Sequence, residues 1–84
     1  MEDLIKAEIE TLRKNKIIRK FVEDQAYTKI AEDIRERTPG SVCTPKAAEL
    51  IVANRTRNPD IHARWNQYVA AGYAGVIMAK YKSA

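Results

Sequence analysis

Turn-forming residues are scarce in this chain: three glycines and three prolines serve 84 positions. A small β fold needs such residues at most of its strand junctions, and strand-like alternation of apolar and polar residues is almost absent here. Helices are the expected element. A chain of this length holds one core, so the expected architecture is an all-α bundle of four or five helices, with residues 1–84 as a single domain. Hydrophobic residues at 45% and charged residues at 31% give a globular composition, not the apolar-poor signature of a disordered chain.

The helical period divides the chain into segments. Leu4, Ile5, Ile9 and Leu12 share one face of a first amphipathic helix. At Lys14-Asn15-Lys16 the apolar stripe loses phase, because Ile17, Ile18, Phe21 and Val22 fall off that face when the helix is continued at 100° per residue. A kink or break is expected there, or one long helix with two different neighbours. A second shift follows at Glu23-Asp24, after which Tyr27, Ile30, Ala31 and Ile34 form a new stripe. Thr38-Pro39-Gly40-Ser41 ends it, since Pro39 disfavours the helical conformation at Thr38 and Gly40 turns freely.

Two helix starts are marked by the same device. Thr44-Pro45 and Asn58-Pro59 each place a capping residue before a proline at the first helical position, where its missing N–H is harmless. Asp60 then puts an acid at the positive end of the last helix. Its apolar stripe runs through Ile61, Trp65, Tyr68, Val69, Gly72, Val76 and Ile77, and the small residues Ala70, Ala71, Gly72, Ala74 and Gly75 invite close approach by another backbone. Tyr73 and Tyr81 are read as surface aromatics.

Charge is unevenly distributed. The chain carries +4 in all, made of +2 over residues 1–20, −2 over 21–37 and +4 over 38–84. Residues 13–20 hold five bases and no acid: Arg13, Lys14, Lys16, Arg19 and Lys20. Lys46, Arg55, Arg57 and Arg64 form a second basic group further along. Clustered cations of this kind attract phosphate backbones, although charge runs on helices also serve simply as solvated surface. These nine residues are the candidate nucleic-acid contacts.

A helix-turn-helix-like pair would take residues 27–37 as first helix, 38–43 as connection and 44–57 as recognition helix. Two features weigh against it. The connection is longer than the usual three or four residues, and the second helix is rich in Ala, Leu, Ile and Val and poor in groove-reading side chains.

Other classes lack their motifs. No glycine-rich phosphate loop or nucleophile elbow occurs, so no enzyme is expected, and one cysteine with one histidine, Cys43 and His62, is too few for a metal site. Cys43 is read as a small half-buried thiol and His62 as a surface or capping residue. A lone cysteine forms no internal disulfide and fits a reducing, cytoplasmic setting; no apolar run is long enough for a membrane span, and the acids and bases of the first twenty positions do not fit a signal peptide. The reading is a small basic nucleic-acid-binding protein, regulatory or architectural, of a kind phages and plasmids also encode. DNA is favoured over RNA, no cofactor is needed, and a homo-oligomer is expected because the core is small. The alternative is a helical adaptor or inhibitor that docks on a larger protein machine.

Overall fold

The computed structural model describes residues 2–82, and every regular element among them is helical. Four helices follow in order: α1 (Glu2–Lys14), α2 (Lys16–Arg37), α3 (Pro45–Ala53) and α4 (Pro59–Lys82). This is the all-α bundle the sequence implies.

Local chemistry sets the ends. Asn15 interrupts α1 and α2 as an N-cap: its backbone is extended (φ −82°, ψ 107°), and its Oδ1 accepts from the N–H groups of Ile17 and Ile18 at 3.0 and 3.3 Å. At the other end of α2, the Thr38 N–H donates to the Ile34 carbonyl at 2.9 Å, and Ser41 N–H closes a turn onto Thr38 O at 3.0 Å. Gly40 inside that turn has φ +92°, a left-handed value that follows proline in a type II turn and would strain any other residue. Thr44 caps α3 by accepting from Ala47 N–H at 3.2 Å, with Pro45 in its first turn. Asn58 precedes Pro59 as expected, but its side chain does not fold over the helix start. Its Nδ2 reaches back to donate to the Ile51 carbonyl of α3 at 3.5 Å.

The two long helices, α2 and α4, pack antiparallel. Val22 meets Gly72, Tyr27 stacks on Trp65 at 5.3 Å between ring centroids, and Asp33 meets Arg64 and Tyr68. Along this seam lie two buried clusters. One comprises Val22 and Ala26 with Val69 and Tyr73, and α1 covers it with half-buried Ile9 and Leu12. The other comprises Ile30 and Ala31 with Cys43, Ala48 and Val52 from the connection and α3. Trp65 and Tyr68 of α4 pack against both clusters and join them.

Several expectations are corrected. The apparent phase shift at Glu23-Asp24 breaks nothing, since α2 runs through it. The row that is buried or half-buried is Ile18, Val22, Ala26, Ile30 and Ile34, spaced by four throughout, and Ile17 and Phe21 merely stand beside it. Tyr73 is a core residue, 1% exposed, because it falls four residues from both Val69 and Ile77; the side chain of Tyr81, like that of Ile5, lies outside the described set. The third helix stops at Ala53 and does not continue to residue 57, so Arg55 and Arg57 lie outside it. Cys43 is buried, with its thiol donating to the Thr44 carbonyl at 3.6 Å. His62 is half-buried against Trp65, with ring centroids 6.0 Å apart, and its Nδ1 and the Trp65 Nε1 are enclosed without hydrogen-bond partners.

The molecule is elongated. Its extents are 44 × 27 × 22 Å, and its radius of gyration of 14.2 Å exceeds the ~12 Å that a compact chain of this length would have.

Of the two glycines on α4, Gly72 is the one the seam requires. A Cβ there would stand 2.8 Å from Val22 Cγ1, and Val22 is a β-branched side chain only 1% exposed, with no room to rotate away. A Cβ on Gly75 meets nothing within 4 Å. Gly72→Ala is therefore expected to lower the unfolding free energy by about 1–2 kcal/mol through overpacking, whereas Gly75→Ala raises it by about 0.5–1 kcal/mol through helix propensity. Chemical denaturation of the two variants checks the opposite signs, and equal effects would remove the close approach from the account.

Candidate nucleic-acid interface

The basic octapeptide is folded into an elbow. Because Asn15 caps α2 in its middle, Arg13 and Lys14 occupy the last turn of α1 while Lys16, Arg19 and Lys20 begin α2. All five side chains are exposed, and none forms an ion pair with a described residue. At the C-terminus of α1 the two cations complement the helix dipole. At the N-terminus of α2 the opposite holds: the first turn contains no acid, and Lys16 and Arg19 add charge of the same sign as the exposed end of the helix.

The break also sorts the cations by direction. Arg13 and Arg19 turn toward α4, where they line a cleft of about 230 Å³ with Glu23, Trp65 and Asn66. The Arg13 guanidinium sits 5.7 Å from the centroid of the buried Tyr73 ring, a cation–π contact that ties α1 to α4. Lys16 and Lys20 turn the other way and border a shallow depression with Ile17, Phe21 and Asp24. Lys46, in the first turn of α3, shares a groove with Lys20, Asp24, Tyr27 and Glu49, so it extends the lysine side of the elbow onto α3.

The remaining candidates lie elsewhere. Arg55 and Arg57 are exposed in the connection between α3 and α4. That connection adjoins the C-terminal end of α2, since Asn58 lines a groove with Arg37 and Thr38. The length of α2 therefore separates these arginines from the elbow, about 33 Å at 1.5 Å per residue. Arg64 is half-buried and paired across the α2–α4 seam, with its Nη1 3.6 Å from Asp33 Oδ2.

Sequence reasoning missed the polar cluster around Asp33. The Tyr68 hydroxyl donates to the Asp33 carboxylate, which Arg64 also approaches, and the Lys29 ammonium lies 5.6 Å from the Tyr68 ring centroid. Asp33 and Arg64 come from helices far apart in sequence, and no local spacing announces such a pair. Among the described residues no group of three His, Cys, Asp or Glu side chains is arranged to hold a metal ion, and no helix is long and apolar enough to cross a membrane.

The hydrogen bond to Asp33 holds the Tyr68 proton and raises its pKa above the ordinary 10.0, with burial and the Asp33 charge acting in the same direction and Arg64 and Arg37 against it. Tyr73 and Tyr27 are raised too, each chiefly by burial, with Glu23 adding to both. A folded-state pKa above the unfolded one means that the stabilising contribution is complete below pH 10 and is lost as the pH rises through the folded values. Stability followed by denaturant unfolding should thus hold up to about pH 9 and fall beyond about pH 10, and Tyr68→Phe should flatten part of that fall. A profile unchanged by Tyr68→Phe would remove Tyr68 as a contributor. Comparison of the chain with protein-family models, with curated proteins and with solved structures yields no match.

Proposed function

We propose that this protein is a non-catalytic nucleic-acid-binding module that contacts the phosphate backbone through the α1–α2 elbow. The observation that carries the reading is that Arg13, Lys14, Lys16, Arg19 and Lys20 flank one helix break, all exposed and none ion-paired with a described residue, with Glu23 and Asp24 the acids beside them. Cations in the first turn of α2 work against the helix dipole, by roughly 0.3–1 kcal/mol each at low ionic strength. The helix dipole does not favour that placement, whereas an anionic ligand would gain from the cations and the helix end together. Lys46 adjoins this surface. Arg55 and Arg57 would serve a second contact at the far end of α2.

The α3 surface suits backbone contact better than base readout. Its exposed positions are Pro45, Lys46, Glu49, Leu50 and Ala53, which offer one cation and no amide to a groove. A free Cys43 thiol suits a reducing cytoplasmic setting.

A second reading, docking on a protein or on a second copy, is favoured by the apolar groove of about 280 Å³ between α1 and α4, lined by Leu4, Leu12, Val76 and Ile77. Leu4 and Met78 are 72% and 60% exposed.

Binding to labelled oligonucleotides over a range of salt separates the readings. Five phosphate contacts predict log K falling against log salt with a slope of about −4.5 on duplex, and Lys14→Gln, Lys16→Gln and Lys20→Gln together should shrink that slope by about 2–3. These lysines are chosen because Arg13 also packs on Tyr73. Absence of binding at low salt, or an unchanged slope in the triple variant, would sink the elbow as the interface.

A further inference from the structure

We propose that the apolar pair Ile17 and Phe21, beside Lys16 and Lys20, receives the bases of a single-stranded nucleic acid, with Phe21 as the stacking platform. This rests on the elbow being a nucleic-acid interface and adds which form of nucleic acid it takes.

Three adjacent rows run along the first turns of α2. Ile18 and Val22 face the core; Ile17 and Phe21, 100° round the helix, face outward; Lys16 and Lys20 lie a further 100° round. Ile17 is 83% exposed and Phe21, the one phenylalanine of the chain, is 55% exposed. An isolated apolar side chain on a surface is ordinary and means little. Here two of them stand one turn apart, open onto the same shallow depression, and share it with two ammonium groups. Aromatic face and cation within one helical turn are the two components of sequence-tolerant single-strand binding: the ring stacks on a base while the lysines follow the phosphates.

Other occupants match less well. A duplex keeps its base faces stacked inside and could use the lysines but not Phe21. A second copy seated on the patch would bring two pairs of lysines together, with one Asp24 from each chain in partial compensation. An anionic membrane would find only two apolar side chains to insert. Asp24 lies between the depression and the groove that leads to Lys46, which also holds Glu49, so Lys16 and Lys20 are the cations placed to follow the strand's phosphates.

The test uses the full chain with oligo(dT), oligo(U) and a duplex of equal length, each labelled and followed by fluorescence anisotropy. Wild type should bind the single strands more tightly than the duplex. Phe21→Leu, which keeps the apolar surface and removes the π face, should weaken single-strand binding about tenfold or more and leave duplex binding unchanged. Phe21→Tyr should retain single-strand affinity. Oligo(dT) and oligo(U) compared directly identify the preferred sugar, since stacking alone does not distinguish them. Single-strand affinity that survives Phe21→Leu, or an equal loss on duplex, would overturn the stacking role while leaving the elbow as a backbone contact. No binding of any of the three would remove the elbow reading and this one together. Displacement of oligo(dT) by polyglutamate as effectively as by unlabelled oligo(dT) would reassign the patch to an acidic polypeptide and overturn the proposal. Circular dichroism melts of both variants keep a folding defect from being read as lost binding.

Discussion

The contact between α2 and α4 at Val22 and Gly72 is the constraint on which the other packing depends. Where a glycine faces a buried β-branched side chain, two helices approach more closely than any larger residue would allow, and this fixes their separation near one end of the seam. Trp65 and Tyr68 then fill the space toward the other end, touching both buried clusters. α1 lies on the Val22 and Tyr73 end and α3 on the Ile30 end, so neither short helix sets the frame. With nine of the ten buried hydrophobic residues among those described falling in two clusters, the fold resembles a two-helix spine with a brace at each end more than a single round core. Its elongation follows directly.

Asn15 decides how the basic segment is divided between two helices. By accepting two N–H groups it ends one helix and starts another within a run of bases, and the change of direction aims arginines and lysines at different surroundings. The arginines meet aromatic rings and α4; the lysines meet solvent and the exposed Ile17 and Phe21. A continuous helix through residues 13–20 would have carried the same charges on one arc of about 220°. The break instead parts Arg13 and Arg19 from Lys16 and Lys20 and leaves Lys16 at the amide end of α2.

Much of the helical framework is legible in the chain itself. The scarcity of glycine and proline predicts helices, the Thr44-Pro45 and Asn58-Pro59 pairs mark two starts, and the loss of apolar phase at Asn15 marks a third, because caps and breaks are decided by neighbours in sequence. The buried row of α2 was harder to see. Ile17 and Phe21 are as apolar as Ile18 and Val22, and hydrophobicity alone cannot say which of two adjacent rows faces the core. The spacing of four from Ile34 back to Ile18 carries that information once α2 is taken as unbroken. Tyr73 departs from the surface expectation for a related reason: an amphipathic ring is compatible with either environment, and only its register with Val69 and Ile77 decides.

The sequence by itself thus determined the fold class, the helix starts and the presence of a dense basic segment, all properties set within a few residues of one another. Only the tertiary structure decided which cations remain available. Arg64 is held by Asp33 across the α2–α4 seam, Arg55 and Arg57 are carried to the opposite end of a 22-residue helix, and the five bases of the elbow stay exposed, Lys16 and Lys20 beside Phe21. Those outcomes depend on which helices meet and in what register, and packing between distant segments is not encoded in any local pattern of charge.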